Sequence, residues 1–253
     1  MIESEGNFAR LFKTIRTNLK LYFMKKHLSV LLVLACIFSL SSYSQESSVF
    51  LKAGVNLANI SINNDGQTDN AKMLTSFHAG LQGDLVVCPF LAIQPGLFFT
   101  GKGTKVQSGT AGSDGYYRAV LNPYYIELPI NVVVKIPVGK DARFFAGAGP
   151  YVAMGIAGKR TLDYQALGIA YHREDNITFS NDDPTTKGEE GSGMGILKRF
   201  DYGVNGTAGF EGKSILLSVN YGLGLAKLQS GTNSGTDNNN KHRVLSFTIG
   251  FRL

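Results

Sequence analysis

From residue 49 to the end of the chain, apolar residues return at every second position in eight successive segments: 49–60, 74–87, 90–102, 124–136, 142–156, 197–212, 214–228 and 243–253. A period of two belongs to half-buried β-strands, and no stretch of a dozen residues carries a helical period in its place. In residues 51–57, Leu51, Ala53, Val55 and Leu57 alternate with Lys52, Gly54 and Asn56; in residues 245–252, Leu245, Phe247, Ile249 and Phe251 alternate with Ser246, Thr248, Gly250 and Arg252. The connections sort by parity. Those after the second, fourth and sixth segments are tight and carry turn chemistry (88–89, 137–141 and 211–213), whereas those after the first, third, fifth and seventh are long and polar (61–73, 103–123, 157–196 and 229–242). An antiparallel up-and-down meander with every long loop at one end has this pattern; a Greek-key sandwich has no reason to sort its loops so.

Two closed barrels satisfy the alternation. One is soluble, with apolar residues inside around a ligand; the other spans a membrane, with apolar residues facing lipid and polar ones facing the lumen. Composition separates them. The non-apolar face is dominated by Gly, Asn, Ser and Thr, glycine reaches 30 of 253 residues, and charged residues are only 17%, whereas a wet outer surface is rich in Lys and Glu. In lipid a closed barrel also satisfies every strand hydrogen bond. The expected fold is therefore all-β, an eight-stranded antiparallel up-and-down transmembrane β-barrel formed by residues 45–253.

Residues 24–44 read as a secretory signal peptide: Lys25 and Lys26, an apolar run from 28 to 40, then small residues, with Ser42 and Ser44 ahead of a cut before Gln45. The run is too short for a spanning helix. Cys36 lies inside it with apolar residues following, which is wrong for a lipoprotein cleavage point. Residues 1–23 are either an upstream extension or the product of a start assigned too far upstream of Met24. Arg10, Lys13, Arg16, Lys20, Lys25 and Lys26 against Glu3 and Glu5 place four of the six net positive charges in residues 1–44. The basic balance is thus no argument for a nucleic-acid partner.

The segments LKAGVNLANI (51–60), YIELPI (125–130), FFAGAGPY (144–151) and YGVNGTAGF (202–210) resemble the PorT-type, porin-like outer-membrane β-barrel family of Bacteroidetes. The resemblance covers nearly all of residues 45–253. It implies an eight-stranded barrel in the cell outer membrane and supplies no catalytic residues; one class of the family is tied to the type IX secretion system. Leu253 departs from the aromatic residue that usually ends such barrels.

With the apolar face outward, Lys52, Asp84, Lys102, Glu127, Lys135, Arg143, Arg199, Asp201, Glu211 and Arg252 face the lumen. An eight-stranded barrel is only wide enough for side chains to fill, so these charges are expected to pair as a plug. Arg143 and Glu127, in adjacent segments joined by a short turn, are the first expected pair. His78 is expected to be hydrogen-bonded filler and His172 and His242 solvated loop residues. The recognition candidates lie in the long loops: Tyr116, Tyr117 and Arg118 in the second, Tyr164, His172 and Arg173 in the third. The expected role is structural, binding or assembly through those extracellular loops, with outer-membrane lipid and a protein or small ligand as partners. Small-solute transport and a soluble periplasmic ligand-binding barrel are the alternatives. No enzyme activity, cofactor or metal is expected.

Overall fold

The computed structural model describes residues 47–61, 71–180, 196–228 and 241–253. The signal-peptide and upstream assignments fall on residues 1–44 and lie outside the described residues, as do most of the first and last long loops. Within the unit Glu46–Leu253, eight long strands follow in chain order: β1 (Ser48–Ser61), β2 (Leu74–Cys88), β3 (Leu91–Gly101), β4 (Tyr117–Pro137), β5 (Arg143–Ala166), β6 (Phe200–Glu211), β7 (Ile215–Gly224) and β8 (Lys241–Arg252). Each pairs antiparallel with its sequence neighbours, and β1 pairs with β8 from Phe50↔Arg252 to Ser61↔Lys241, so the sheet closes on itself as an up-and-down barrel.

Closure sets the inside and the outside. Lys52, Asn56, Gln82, Gln94, Asn131, Lys135, Thr207 and Thr248 are buried in the ring, while Leu51, Val55, Leu81, Leu97, Leu128, Val152, Leu217 and Ile249 are 40–56% exposed on its outer wall. An apolar surface encircling the whole protein is far larger than water tolerates; its solvent is lipid. The soluble alternative, with the faces exchanged, is thereby overturned. Glycine serves the close approach of strands at Gly149, where a Cβ would meet Ile130 O at 1.9 Å.

Three tight turns stand at one end. At the other, β4 and β5 run on together, at 21 and 24 residues, well past the 9–11 that cross a bilayer. Residues 157–196 were expected to be loop; instead β5 continues to Ala166, turns through Leu167 and Gly168, and returns as the strand Ile169–Asn176. The strand Thr104–Ser108 likewise lies where the second loop was expected and pairs with the other side of β4. With the short strand Ala71–Lys72 pairing along the outer side of Thr104–Ser108, a five-stranded antiparallel sheet thus projects from the long-loop end. The apolar alternation misses it because both of its faces are wet.

The turn that ends this projection has both central residues in the left-handed region, Leu167 at φ 51° and Gly168 at φ 73°, as a two-residue hairpin turn of the inverse type requires. Glycine takes that conformation freely; leucine does so at a cost of about 1–2 kcal/mol, here with its side chain 91% exposed and gaining no burial. Leu167→Asn is expected to stabilise the projecting hairpin by about 1 kcal/mol, read as slower amide exchange at Tyr164 and Tyr171; unchanged or faster exchange refutes the assignment of strain.

Candidate functional site

Two regions carry polar chemistry: the lumen and the projecting sheet. In the lumen the charges stand in two layers. Toward the short turns, Lys135 Nζ lies 2.5 Å from both Asp84 Oδ2 and Glu211 Oε2. Arg252 pairs with the other oxygen of Glu211, Gln94 donates to Asp84 Oδ1 at 2.9 Å, and Lys52 donates to Gln82. Toward the long loops, Lys102 Nζ lies 2.6 Å from Glu127 and 2.9 Å from Asp201. It also sits 4.0 Å from the centre of the Tyr151 ring, and the Tyr151 hydroxyl donates to Asp201 at 3.0 Å. Between the layers, His78 spans Asn56 Oδ1 at 2.7 Å and Thr248 Oγ1 at 2.9 Å. A cavity of about 80 Å³ there holds a few waters at most. Above the upper layer the mouth is sealed by Ile60, Leu121, Ile177, Leu197 and Leu228.

Several sequence-based expectations fall elsewhere. Arg143 is exposed at the short-turn rim, opposite Pro137. Glu127 stands ten residues up β4 from Pro137, roughly 30 Å away along the strand, so Arg143 and Glu127 do not meet; Glu127 takes Lys102 instead. A short turn between two strands says which residues neighbour it, and Glu127 is not one of them. Arg199 lies just ahead of β6, exposed at the long-loop rim, and donates to Phe179 O at 3.1 Å. His242, expected to be solvated, is 1% exposed on the inner face of β8, with Nε2 3.3 Å from the Tyr125 hydroxyl. Among the described residues no group of three or more His, Cys, Asp or Glu is placed to hold a metal, and Cys88 is a half-buried free thiol at the end of β2.

The projecting sheet draws together the two separate recognition segments. Register places Tyr117 opposite Tyr164 and Tyr164 opposite Tyr171, so three tyrosines on three adjacent strands form one row. They are 38%, 41% and 42% exposed, and the Tyr164 and Tyr171 rings are 4.8 Å apart. On the opposite face, Asp163 joins Arg118 at 3.5 Å and His172 at 2.5 Å. On the tyrosine face, Arg173 shares Asp175 with Arg160, at 2.7 and 2.9 Å. Tyr116 stands in the turn before β4, its amide donating to Ser113 O at 3.2 Å. Tyr171 escaped the sequence reading, although Tyr164 and Tyr171 are placed symmetrically about Leu167 and Gly168 and a two-residue turn there would have paired them.

In sequence the chain matches, over residues 43–230, the family model described as outer membrane protein beta-barrel domain. Among solved structures it is similar to Ail, the attachment invasion locus protein of Yersinia pestis, at 10% identity over 83% of this chain and 100% of that one, with a TM-score of 0.37. It is similar to Neisserial surface protein A at 10% identity, with the same coverage and a TM-score of 0.40. The N-terminal beta-barrel domain of Pseudomonas aeruginosa OprF gives 6% identity over 80% of this chain and 97% of that one, with a TM-score of 0.25. No curated protein matches the sequence.

Removing one partner from a buried ionic layer leaves the others uncompensated, at a cost of about 3–5 kcal/mol. Lys135→Met is expected to destabilise the barrel by that order, and Lys135→Met with Asp84→Asn and Glu211→Gln to recover part of it, measured as urea midpoints in detergent; equal midpoints for the single and triple variants refute the coupling. On the projecting sheet, hydrogen bonds from Arg160 and Arg173 hold the Asp175 carboxyl below its ordinary value. The order that Asp175 lends the hairpin is therefore complete above the ordinary carboxylate pKa of about 3.9 and is lost as pH falls through the lower folded value. Amide exchange in Ile169–Asn176, corrected for intrinsic rates, is expected to stay flat down to about pH 4 and to accelerate below it, an acceleration that Asp175→Asn abolishes.

Proposed function

This chain belongs to the outer membrane protein beta-barrel domain family, and from that premise we propose that it is a closed, non-conducting barrel that presents a binding surface outside the cell. In outer-membrane barrels the short turns face the periplasm and the longer loops the exterior, which puts the projecting sheet on the cell surface. The observation that carries the reading is the row Tyr117, Tyr164 and Tyr171, assembled from two distant segments on a sheet continuous with the barrel wall. Tyrosine supplies large, rigid contact area at little cost in side-chain entropy and brings a polar hydroxyl. Arg173 stands beside Tyr171 on the same face, Arg118 and His172 line the reverse face, and Tyr116 lies in the turn before β4. The partner is a protein or a small ligand. Export through the signal peptide at residues 24–44 and kinship with the PorT-type family of Bacteroidetes complete the reading.

Small-solute transport is disfavoured by the ionic layers and by the apolar seal at the mouth. Purified protein in planar bilayers is expected to give no steady unitary conductance; reproducible channels overturn the closed-barrel reading. For binding, cells displaying the barrel are tested against immobilised polysaccharides and extracellular proteins. Tyr164→Ser with Tyr171→Ser is expected to reduce retention on the recognised surface by at least about tenfold while the heat-dependent gel shift of the folded barrel persists. Retention equal to wild type on every surface overturns the tyrosine row as the site.

A further inference from the structure

A second surface is distinguished by the sign of its charge. Where β8 emerges from the apolar belt at the long-loop end, its outward positions change from apolar to basic. On β8, Phe247 and Leu245 are followed toward that end by Arg243 and Lys241, both half-buried. On β6, Val204, Tyr202 and Phe200 are preceded by Lys198, whose amide donates to Leu228 O at 2.9 Å. Register sets Arg243 opposite Leu223, and Leu223 opposite Val204; Lys198, six residues beyond Val204 and roughly 20 Å along the strand, stands apart from Arg243. Lys227 lies in the same sector with interactions of its own; the inference rests on Lys241 and Arg243. Arg243 is held by two bonds from Nη1, to Gly224 O and His242 O, both 3.0 Å, which leaves three of its five donors for other partners.

No carboxylate among the described residues faces outward in this sector, since Asp201 and Glu211 on β6 point into the lumen. Elsewhere on the outer surface Lys159 has Glu174, Arg118 has Asp163, and Lys213 at the short turns has Asp141. A second feature lies on the same strands. Four residues along β8 from Arg243, about 13 Å, Phe247 borders an apolar depression of about 640 Å³ on the lipid-facing wall, formed where the small Ala53 and Ala208 stand among Phe144, Phe210 and Ile249. Tyr221, 47% exposed and opposite Leu245, lies between the two regions at the depth where aromatic side chains mark the edge of the hydrocarbon.

We propose that Lys241 and Arg243 bind the phosphate of an anionic lipid headgroup in the leaflet at the long-loop end, with an acyl chain of that lipid lying in the depression below. Cations at the membrane edge attract anionic headgroups by an amount that adds with each residue. A guanidinium fixed by backbone carbonyls can offer a phosphate more than one hydrogen bond. The apolar depression one acyl length deeper is what distinguishes a lipid from a free anion.

The full barrel in mixed micelles of phosphatidylcholine and phosphatidylglycerol is analysed for retained lipid by mass spectrometry of the intact protein. Phosphatidylglycerol is expected to be retained at least about tenfold over its share of the mixture. Lys241→Gln and Arg243→Gln together are expected to erase that preference, while Lys213→Gln at the short-turn end leaves it intact, each variant first shown to keep the heat-dependent gel shift. Ala208→Phe, which fills the depression, is expected to lower retention with the basic residues in place. Equal preference in the double variant overturns the proposal. So does displacement of the lipid by inorganic phosphate but not by chloride at the same ionic strength, which would reveal a site for the free anion.

Discussion

The hydrogen-bonded seam between β1 and β8 is the contact on which the rest depends. A strand edge left open in hydrocarbon would expose a row of unpaired amides and carbonyls, each costing several kcal/mol, and the chain removes that edge by joining its first strand to its last over residues 50–61 and 241–252. Once the ring closes, every other placement follows from the alternation of side chains. One residue of slip anywhere in the seam would turn Lys52 and Asn56 out to lipid and bring Leu51 and Val55 into the lumen.

The lumen in turn has to be electrically quiet. Its four cations, Lys52, Lys102, Lys135 and Arg252, face four carboxylates, Asp84, Glu127, Asp201 and Glu211, and all but Lys52 form direct ion pairs. Burying charges carries a desolvation cost that mutual attraction repays only with close geometry and further hydrogen bonds. Gln82, Gln94 and Tyr151 supply those bonds. Replacing the whole set by well-packed apolar residues could be as stable, but the lumen would then resemble the outer wall, and the distinction that specifies which face turns inward would weaken.

The strands that touch lipid were legible in the sequence because lipid on one side and lumen on the other impose a strict alternation, and the parity of the connections supplied the topology. The projecting sheet was illegible for the same reason: from Ala157 to Asn176 water replaces lipid and the hydrophobic signal disappears. Its turn offers Leu167 where Asn or Asp would have announced a hairpin. Alternation gave the facing of interior side chains but not their height, since Arg143 has the parity of an interior residue and ends at the rim. His242 shows the converse. Its neighbours Asn239, Asn240, Lys241 and Arg243 make it look solvated, yet strand parity carries it inward beneath the apolar seal.

β4 and β5 pass from the lipid-facing wall into the projection without an intervening loop, their pairing interrupted only by one register shift at Tyr124 and Tyr125. The projection is therefore a mast stepped into the hull rather than a tethered arm. Whatever attaches near its tip is held about 25 Å beyond Tyr125 at a set angle. A pull on the tip loads two strands in shear, along the direction in which many ladder hydrogen bonds must break together, so the anchorage resists detachment mechanically as well as thermodynamically.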